Sequence, residues 1–278
     1  PHYRSFRSEP RPYPAFSLGP LLPVVAIALL VYGLLGIWSQ GDQLVPFLRS
    51  LWPQIGLGLL LVLLGYGIRY GRWRLLLGAL NQHPAMATDA RIWMGSYAFT
   101  ATPGKSGEAV RSLLLKQDCL VGVIAGWLVL RSPWAKALLK TTAKRLLPPK
   151  LARAGGEGLN ALQQLLQPAL LLQATVIGAL AWSLEGVSLW LLLQGIGIKG
   201  VGIGGATIAH TAAGLVGALT LLPGGLGSTE AGTVGLLALQ GVSVSSATPA
   251  TLLIRLMTLW FATALGVGCL LWQGQRRS

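Results

Sequence analysis

Two short Pro/Gly-rich stretches, each ending in a glutamate, hold the residues of this sequence that are best suited to binding chemistry. The later stretch runs Leu222-Pro-Gly-Gly-Leu-Gly-Ser-Thr-Glu230, and the earlier one runs Thr102-Pro-Gly-Lys-Ser-Gly-Glu108. Proline blocks a continuing helix, and glycine permits a left-handed or closely packed backbone. Two such breaks in apolar segments, one in each half of a chain, indicate the binding site of a transporter. The predicted break residues are Pro103, Gly104, Gly107, Pro223, Gly224, Gly225 and Gly227.

Charged side chains around the earlier break are of the kind that holds a phosphate. Lys105 stands at the Pro-Gly break, where the N-terminus of a helix would expose amide donors to an anion. The alternative for Lys105 is a position at the membrane interface. Glu108 and Arg111 lie at i and i+3, so they can pair on one helix face. That pair either takes part in binding or only makes the burial of two charges tolerable.

Three more charged residues interrupt the apolar segments of the second half. Glu230 lies within a long stretch, residues 200–253, that carries no other Asp, Glu, Lys or Arg. A carboxylate at membrane depth is costly unless it faces protein, water or a polar cargo. Arg255 can balance Glu230 or Glu185, or it can contact a phosphate itself. Glu185 lies within the longest apolar run, or it reaches water from the end of a tilted span.

The sequence contains no complete motif of an enzyme, a nucleotide site or a metal site. Gly104-Lys105-Ser106 resembles the end of a phosphate-binding loop, but Phe99 stands where that loop needs a glycine. Residues 195–200 match a dinucleotide fingerprint at a span end, without the strand–helix–strand context. Two cysteines and three isolated histidines form no ligand or nucleophile pattern. We therefore predict no catalytic residue, no metal and no cofactor, and we do not expect an enzyme.

The composition is that of a membrane protein. Of the 278 residues, 53% are hydrophobic and 11% are charged, whereas a soluble domain carries about 25% charged residues. The formal net charge is +14, from 22 basic and 8 acidic residues. Because the basic residues flank apolar spans, we attribute them to orientation and to anionic lipid, and we expect no nucleic acid as a partner.

Apolar runs predict an all-α polytopic transmembrane bundle with two re-entrant elements and a possible inverted repeat. A span needs about 20 apolar residues. The predicted domains are a basic cytoplasmic arm at 1–20, a transmembrane domain at 21–272 and a basic tail at 273–278. Positive charges after the second span and in the tail place both termini in the cytoplasm, and the expected location is a bacterial inner membrane. The predicted spans are 21–38, 53–70, 168–193 and 249–272.

Shorter segments lie between these spans and are the ones expected to hold the breaks. Residues 92–117 indicate a split or re-entrant helix, and 120–130 is too short to cross a bilayer. Residues 131–166 predict amphipathic helices on the cytoplasmic surface, because basic residues recur there beside apolar ones. Gly-rich 200–222 leads into the second break, and 233–239 is a short apolar segment after it.

At its two breaks the sequence resembles the lysylphosphatidylglycerol synthase transmembrane-domain family, which is also described as flippase-like. Pro103 to Glu108 with Arg111 is similar to the family pattern Pro-Gly-Lys-x-Gly-Glu-x-x-Arg, and Pro223 to Glu230 is similar to Pro-Gly-Gly-x-Gly-x-x-Glu. Ser106 and Thr229 depart from the Leu and Arg expected of the family. A Glu-Arg…Asp stretch of the family is also missing, and we interpret this as residues absent between Cys119 and Leu120.

The resemblance implies a flippase-like module without the synthase domain, which moves a lipid or lipid-linked head group between leaflets. We hypothesise a polar groove in which cations hold an anionic phosphate and carboxylates balance them, bind an amine or take up a proton. Expected partners are membrane lipids, anionic or lipid-linked, and a possible second copy of the chain. The alternatives are a small-solute transporter or channel, an enzyme acting on lipid and a structural membrane partner. The groove residues are Lys105, Glu108, Arg111, Glu230 and Arg255, with Glu185 as a further candidate.

Overall fold

The computed structural model describes residues 30, 32–34, 41, 44–101, 164–220 and 222–275. Within these residues the regular structure is helical and contains no strand, which confirms the all-α prediction. Two 3-10 turns, Tyr97–Phe99 and Pro223–Gly225, and one π-helical turn, Leu256–Trp260, interrupt the helices. The α-helices are α1 Leu44–Ser50, α2 Trp52–Ala79, α3 Met86–Ser96, α4 Pro168–Gly195, α5 Ile203–Leu219, α6 Ser228–Ala238, α7 Val244–Arg255 and α8 Phe261–Gln275.

Several predicted segments fall outside these ranges. The basic arm at 1–20, the short segment at 120–130 and the amphipathic segment as far as residue 163 lie outside the described residues. So does the earlier break from Thr102 onward. Of the predicted first span, residues 30 and 32–34 are described, and they are helical.

Three helices in the described part of the chain are long and apolar enough to cross a membrane. They are Trp52–Ala79, Pro168–Gly195 and the continuous helix Val244–Trp272, and they match three of the four predicted spans. Their bounds differ most at the end of α2, which runs on to Ala79 although the prediction stopped it at residue 70. The arginines near residue 70 therefore do not mark a helix end. One of them, Arg69, pairs with Glu185 inside the bundle.

Apolar side chains point outward from the spanning helices in rows. A row of large exposed apolar residues spaced three or four apart is the lipid-facing face of a membrane helix. The exposed rows on α2 and α4 are Leu57, Leu60, Leu64, Leu172, Val176 and Leu180. Together with its apolar spans, this surface identifies an integral membrane protein.

Helices α2 and α4 run antiparallel and approach closely through small residues. The hydroxyl of Ser188 donates to the backbone oxygen of Gly58 at 3.1 Å. A Cβ added at Gly65 would lie 3.4 Å from the backbone oxygen of Ala181. Small residues let helix backbones approach in lipid, where no hydrophobic force drives the helices together. This contact places Arg69 of α2 beside Glu185 of α4.

Helix α4 lies at the centre and packs against α2, α5 and α7. It is apolar on all sides, as expected for a helix enclosed by protein and lipid. Leu189, Leu192 and Leu193 are fully buried and belong to a cluster that also takes in residues of α5, α6 and α7. The core therefore fixes the direction in which α4 presents its one carboxylate.

The later break folds as a turn between two short helices that pack side by side. Pro223–Gly225 joins α5 to α6, and Gly224, Gly225 and Gly227 have φ values of +58°, +66° and +81°. Such left-handed backbone favours glycine. Helices of 17 and 11 residues span about 25 Å and 16 Å, which is less than the bilayer core of about 30 Å. The re-entrant arrangement of this hairpin stays a prediction.

A buried aspartate fastens α3 to the end of α2. Asp89 is fully buried, and its two oxygens accept from Trp73 Nε1 at 2.9 Å and from Arg74 Nη1 at 3.2 Å. We expect Asp89→Asn to lower the free energy of unfolding by about 1–3 kcal/mol, because the amide cannot accept from both donors. Thermal unfolding of the purified protein in detergent measures this. Met86→Ala, at an exposed position of α3, is the control, and an unchanged midpoint for Asp89→Asn would contradict the prediction.

Candidate functional site

Glu230 and Arg255 form an ion pair beside the Pro223–Gly225 turn. The Nε of Arg255 donates to Oε1 of Glu230 at 2.8 Å, and its Nη2 donates to the backbone oxygen of Gly224 at 2.6 Å. Tyr32, from the predicted first span, donates its hydroxyl to the same Oε1. The arginine thus joins the last span to the turn, and Glu230 lies in the first turn of α6, where a helix N-terminus favours a negative charge.

The second oxygen of Glu230 is available for a further interaction. Its Oε2 is buried and has no hydrogen-bond partner among the residues that the structure describes. The indole Nε1 of Trp260 is also buried without a hydrogen-bond partner among the described residues. The Trp260 ring packs edge-on against that of Tyr32, with 6.0 Å between the ring centres. Buried polar groups without partners are costly, so they mark places where a ligand, water or proton would stabilise the protein.

A π-helical turn follows Arg255 directly. Leu256–Trp260 replaces one α-helical turn within the last span. The hydroxyl of Tyr66 on α2 donates to the backbone oxygen of Thr258 in this turn at 2.6 Å. Single π-helical turns inside α-helices occur often at functional sites. Here the wider turn lets α2 hydrogen-bond to the backbone of the last span next to the arginine.

A second buried ion pair links α2 to α4 and α5. Arg69 Nη1 donates to Oε1 of Glu185 at 2.5 Å, and Nε2 of His210 lies 2.9 Å from Oε2 of the same carboxylate. Glu185 is 5% exposed, and the Arg69 guanidinium also lies 5.4 Å from the ring centre of Trp182. Arg69 and Glu185 each lie about 15 Å from the C-terminal ends of their helices, so this is a charge cluster within the span and not at its end.

At least one member of each ion pair lines a cavity of about 230 Å³. Arg69, Glu185 and His210 line it, and so do Arg255, Gly224 and Gly225. Such a volume, with charged and aromatic groups on its walls, suits the binding of a small polar group. Its remaining lining residues are Tyr66, Arg72, Trp93, Ser96, Tyr97, Thr100, Trp182, Gly214, Gly217, Ala218, Thr229, Thr258, Leu259 and Ala262.

The chain reaches the earlier break at the wall of this cavity. Thr100 lines the cavity, and Ala101 is fully buried in a cluster with Tyr32 and Trp260. A Cβ added at Gly224 would lie 3.4 Å from the Cα of Ala101. Ala101, which directly precedes the Thr102-Pro-Gly stretch in the sequence, therefore lies against the later turn.

The structure brings together part of the predicted groove. Arg255 pairs with Glu230, which is one of the alternatives that the sequence left open, and Glu185 pairs instead with Arg69. Glu185 lines the cavity, and Glu230 is joined to it through Arg255, which lines the cavity. That these residues bind a ligand stays a prediction. The remaining groove and break residues, Lys105, Glu108, Arg111, Pro103, Gly104 and Gly107, lie outside the described residues.

Four site residues were not predicted from the sequence. Arg69 and Arg72 were interpreted as markers of a cytoplasmic span end, and His210 as an isolated structural histidine. Tyr32 was only one aromatic residue in an apolar run. A helical register drawn from Arg69 through residue 79 would have signalled that α2 carries its arginines inward, but no local signal identifies their partners.

The sequence matches one known family over most of its length. Residues 25–120 and 119–266 match the model described as "Lysylphosphatidylglycerol synthase TM region". The two matched regions meet at residues 119–120, where the sequence predicts missing residues. A UPF0104 membrane protein of Methanothermobacter thermautotrophicus is 34% identical over 91 residues, which cover 33% of this chain and 27% of that protein. No solved structure matches the chain.

Proposed function

This chain belongs to the lysylphosphatidylglycerol synthase transmembrane-region family, and we propose that it moves the head group of a lipid or lipid-linked molecule between leaflets. The observation that carries the proposal is the cavity lined by residues of two largely buried ion pairs next to the Pro223–Gly225 turn. Buried charges within membrane spans are costly and mark substrate or ion pathways. Only the polar head group needs such a path, because acyl chains can remain in lipid throughout.

In the proposed cycle, a phosphate of the head group competes with Glu230 for Arg255. A guanidinium presents several donors in one plane, so it can bind a phosphate and a carboxylate in turn. Glu230 would then be held by Tyr32, take up a proton through its free oxygen or bind an amine of the head group. The Pro223–Gly225 turn supports this exchange, because its backbone oxygen anchors Arg255 in both states.

The earlier break forms the other half of the proposed path. We propose, as the sequence predicts, that Lys105, Glu108 and Arg111 of this break also contact the head group. In this arrangement both breaks re-enter the bilayer and meet near its centre. The protein would lie in a plasma membrane with both termini in the cytoplasm, as the positive charges that flank its spans favour.

Leaflet exchange of a labelled lipid tests the proposal. The purified protein is placed in phosphatidylcholine vesicles that hold traces of head-group-labelled phosphatidylglycerol or of a labelled polyprenyl phosphate. A quencher that cannot cross the membrane reports the label in the outer leaflet. We expect exchange at least about tenfold faster than in protein-free vesicles, which requires the barrier to fall by only about 1.4 kcal/mol.

Release of a trapped solute serves as the parallel measurement. Arg49→Gln is the matched control variant, because Arg49 is exposed at the end of α1 and lies outside the cavity. It should exchange lipid at the parental rate. Fast release of a small soluble solute without exchange of either lipid would refute the proposal and favour the small-solute transporter or channel.

A further inference from the structure

The cavity carries a positive charge that no carboxylate balances in the described part of the chain. Arg69 and Arg255 pair with Glu185 and Glu230. Arg72 also lines the cavity, one turn beyond Arg69 on α2, and has no ion-pair partner among the described residues. Because Arg69 and Arg255 are paired, Arg72 leaves one unbalanced positive charge at the cavity among the described residues. Such a field attracts an anion.

His210 adds a side chain that can take up a proton beside this charge. Its Nε2 lies 2.9 Å from Oε2 of Glu185, and because a carboxylate accepts, Nε2 carries the hydrogen. The basic nitrogen is therefore Nδ1, which is buried and has no partner in the part of the chain described. Imidazole is the side chain that exchanges a proton between about pH 5 and pH 8. A proton taken from the cytoplasm onto Nδ1 would give an imidazolium bound to Glu185.

We propose that Arg69 and Arg72 bind a phosphate diester in this cavity and that His210 takes up one proton as the phosphate enters. The proposal rests on the proposed function, because the diester is taken to be that of the transported head group. The imidazolium would hold Glu185 in place of Arg69, so the guanidinium of Arg69 is released toward the cavity. Arg69 and Arg72 lie one turn apart on the same face of α2 and can then share the two non-bridging oxygens over which the diester's single negative charge is spread.

The other titratable groups around the pair do not compete for this proton. Arg69 and Tyr66 face Glu185 and His210 from α2, Tyr97 faces them from the 3-10 turn after α3, and Arg255 faces the cavity from α7. On α4 and α5 the described cavity residues contribute Glu185 and His210 themselves. Arginine stays protonated and phenol stays neutral at pH 7, so imidazole is the group whose charge changes. If His210 takes up a proton as the anion enters, binding must tighten as the pH falls.

Calorimetry with a soluble phosphate diester tests the coupling. The probe is glycerophosphoglycerol, the head group of phosphatidylglycerol without acyl chains, titrated into the whole protein in detergent. We expect its Kd to fall about tenfold from pH 8 to pH 6, with uptake of up to one proton per bound probe in buffers of different ionisation enthalpy. Arg72→Gln should weaken binding about tenfold, Arg72→Lys less, and Arg49→Gln not at all.

The His210→Gln variant tests proton uptake separately from phosphate binding. It should bind the probe with the same Kd at both pH values and without proton uptake. If that variant aggregates on size-exclusion chromatography, Glu185→Gln is the second test, because it removes the charge that stabilises the imidazolium and should also abolish the pH dependence. A parental Kd that is independent of pH, or an Arg72→Gln variant with unchanged Kd, overturns the proposal.

Two outcomes distinguish this proposal from the proposed function. Probe binding with proton uptake, in a protein that exchanges no lipid between leaflets, would leave the site standing as a site for soluble phosphate diesters and refute lipid transport. Exchange of labelled phosphatidylglycerol at equal rates at pH 6 and pH 8, in the parent and in folded His210→Gln, would refute proton coupling alone.

Discussion

The Glu230→Gln/Arg255→Gln double variant should unfold at a higher temperature than either single variant and yet exchange lipid no faster than they do. In Arg255→Gln, Glu230, whose side chain is 15% exposed, keeps only Tyr32 as a partner among the described residues, and breaking a buried ion pair by removing one partner costs up to about 3–5 kcal/mol. Glu230→Gln likewise leaves the Arg255 guanidinium without a carboxylate partner among the described residues. The double variant removes both charges, and its two amides can hydrogen-bond to each other, so most of the lost stability returns.

Lipid exchange should not recover in the double variant, because Arg255, one of the cations proposed to bind the phosphate, is gone. A hydrogen bond to a charged group contributes about 1.5–3 kcal/mol, which corresponds to a loss of about 10-fold to 100-fold in exchange rate. Thermal unfolding and vesicle exchange are measured on the same preparations. Asp89→Asn is the matched control, since it loses stability at a buried ion pair away from the cavity and should keep the parental exchange rate.

The opposite result has a clear meaning. If the double variant regains both stability and exchange, the Glu230–Arg255 pair serves only to join the last span to the Pro223–Gly225 turn. If Asp89→Asn loses exchange as well, the loss in the single variants reflects instability and not the removal of a phosphate contact. The proposed role of Arg255 requires that stability and exchange separate in the double variant alone.

The spans could be predicted from the sequence because their signal is local. The prediction of 168–193 for α4 and the observed Pro168–Gly195 agree at the start, where proline stands at the first helical turn. The turn at Pro223–Gly225 was predicted for the same reason, since proline and glycine act on their own backbone. Length and apolar composition then decide which helices can cross a bilayer.

The partners inside the bundle could not be predicted, because they depend on how helices pack. Arg69 and Glu185 are 116 positions apart, and Tyr32 and Glu230 are 198 apart. The positive-inside rule counts arginines near a span end without regard to the helix face they occupy. Arg69 therefore looked like an interface residue until the close α2–α4 contact showed it beside Glu185. His210 was interpreted as isolated for the same reason, since its partner lies on the preceding helix.

The choice between two carboxylates for Arg255 was likewise a matter of packing. By sequence, both Glu230 and Glu185 were possible partners. The Gly224 carbonyl accepts from the same guanidinium that pairs with Glu230, so the turn holds Arg255 on its own side of the cavity. Glu185 is held on the other side by Arg69 and His210. Each of the two carboxylates therefore has its own arginine partner.

Gly225→Ala should destabilise the protein and abolish lipid exchange. Gly227→Ala should have only a weak effect on stability and on exchange. Both glycines have positive φ, so each alanine pays a backbone cost of about 1–2 kcal/mol. At Gly227 nothing lies within 4 Å of the added Cβ. At Gly225 that Cβ would lie 2.6 Å from Oγ1 of Thr229 and 3.0 Å from the Cα of Gly217. Overpacking of this kind costs about 1–3 kcal/mol more.

The difference between the two alanine variants isolates the close approach of α5 to the turn. Gly225 lines the cavity, and a displaced turn would carry the Gly224 carbonyl away from Arg255. We therefore expect Gly225→Ala to unfold at a lower temperature than Gly227→Ala and to lose lipid exchange even where both remain folded. Equal unfolding midpoints and equal exchange rates in the two variants would mean that the turn needs only its left-handed backbone. In that case the contact between Gly225 and Gly217 would not be what holds the Gly224 carbonyl on Arg255.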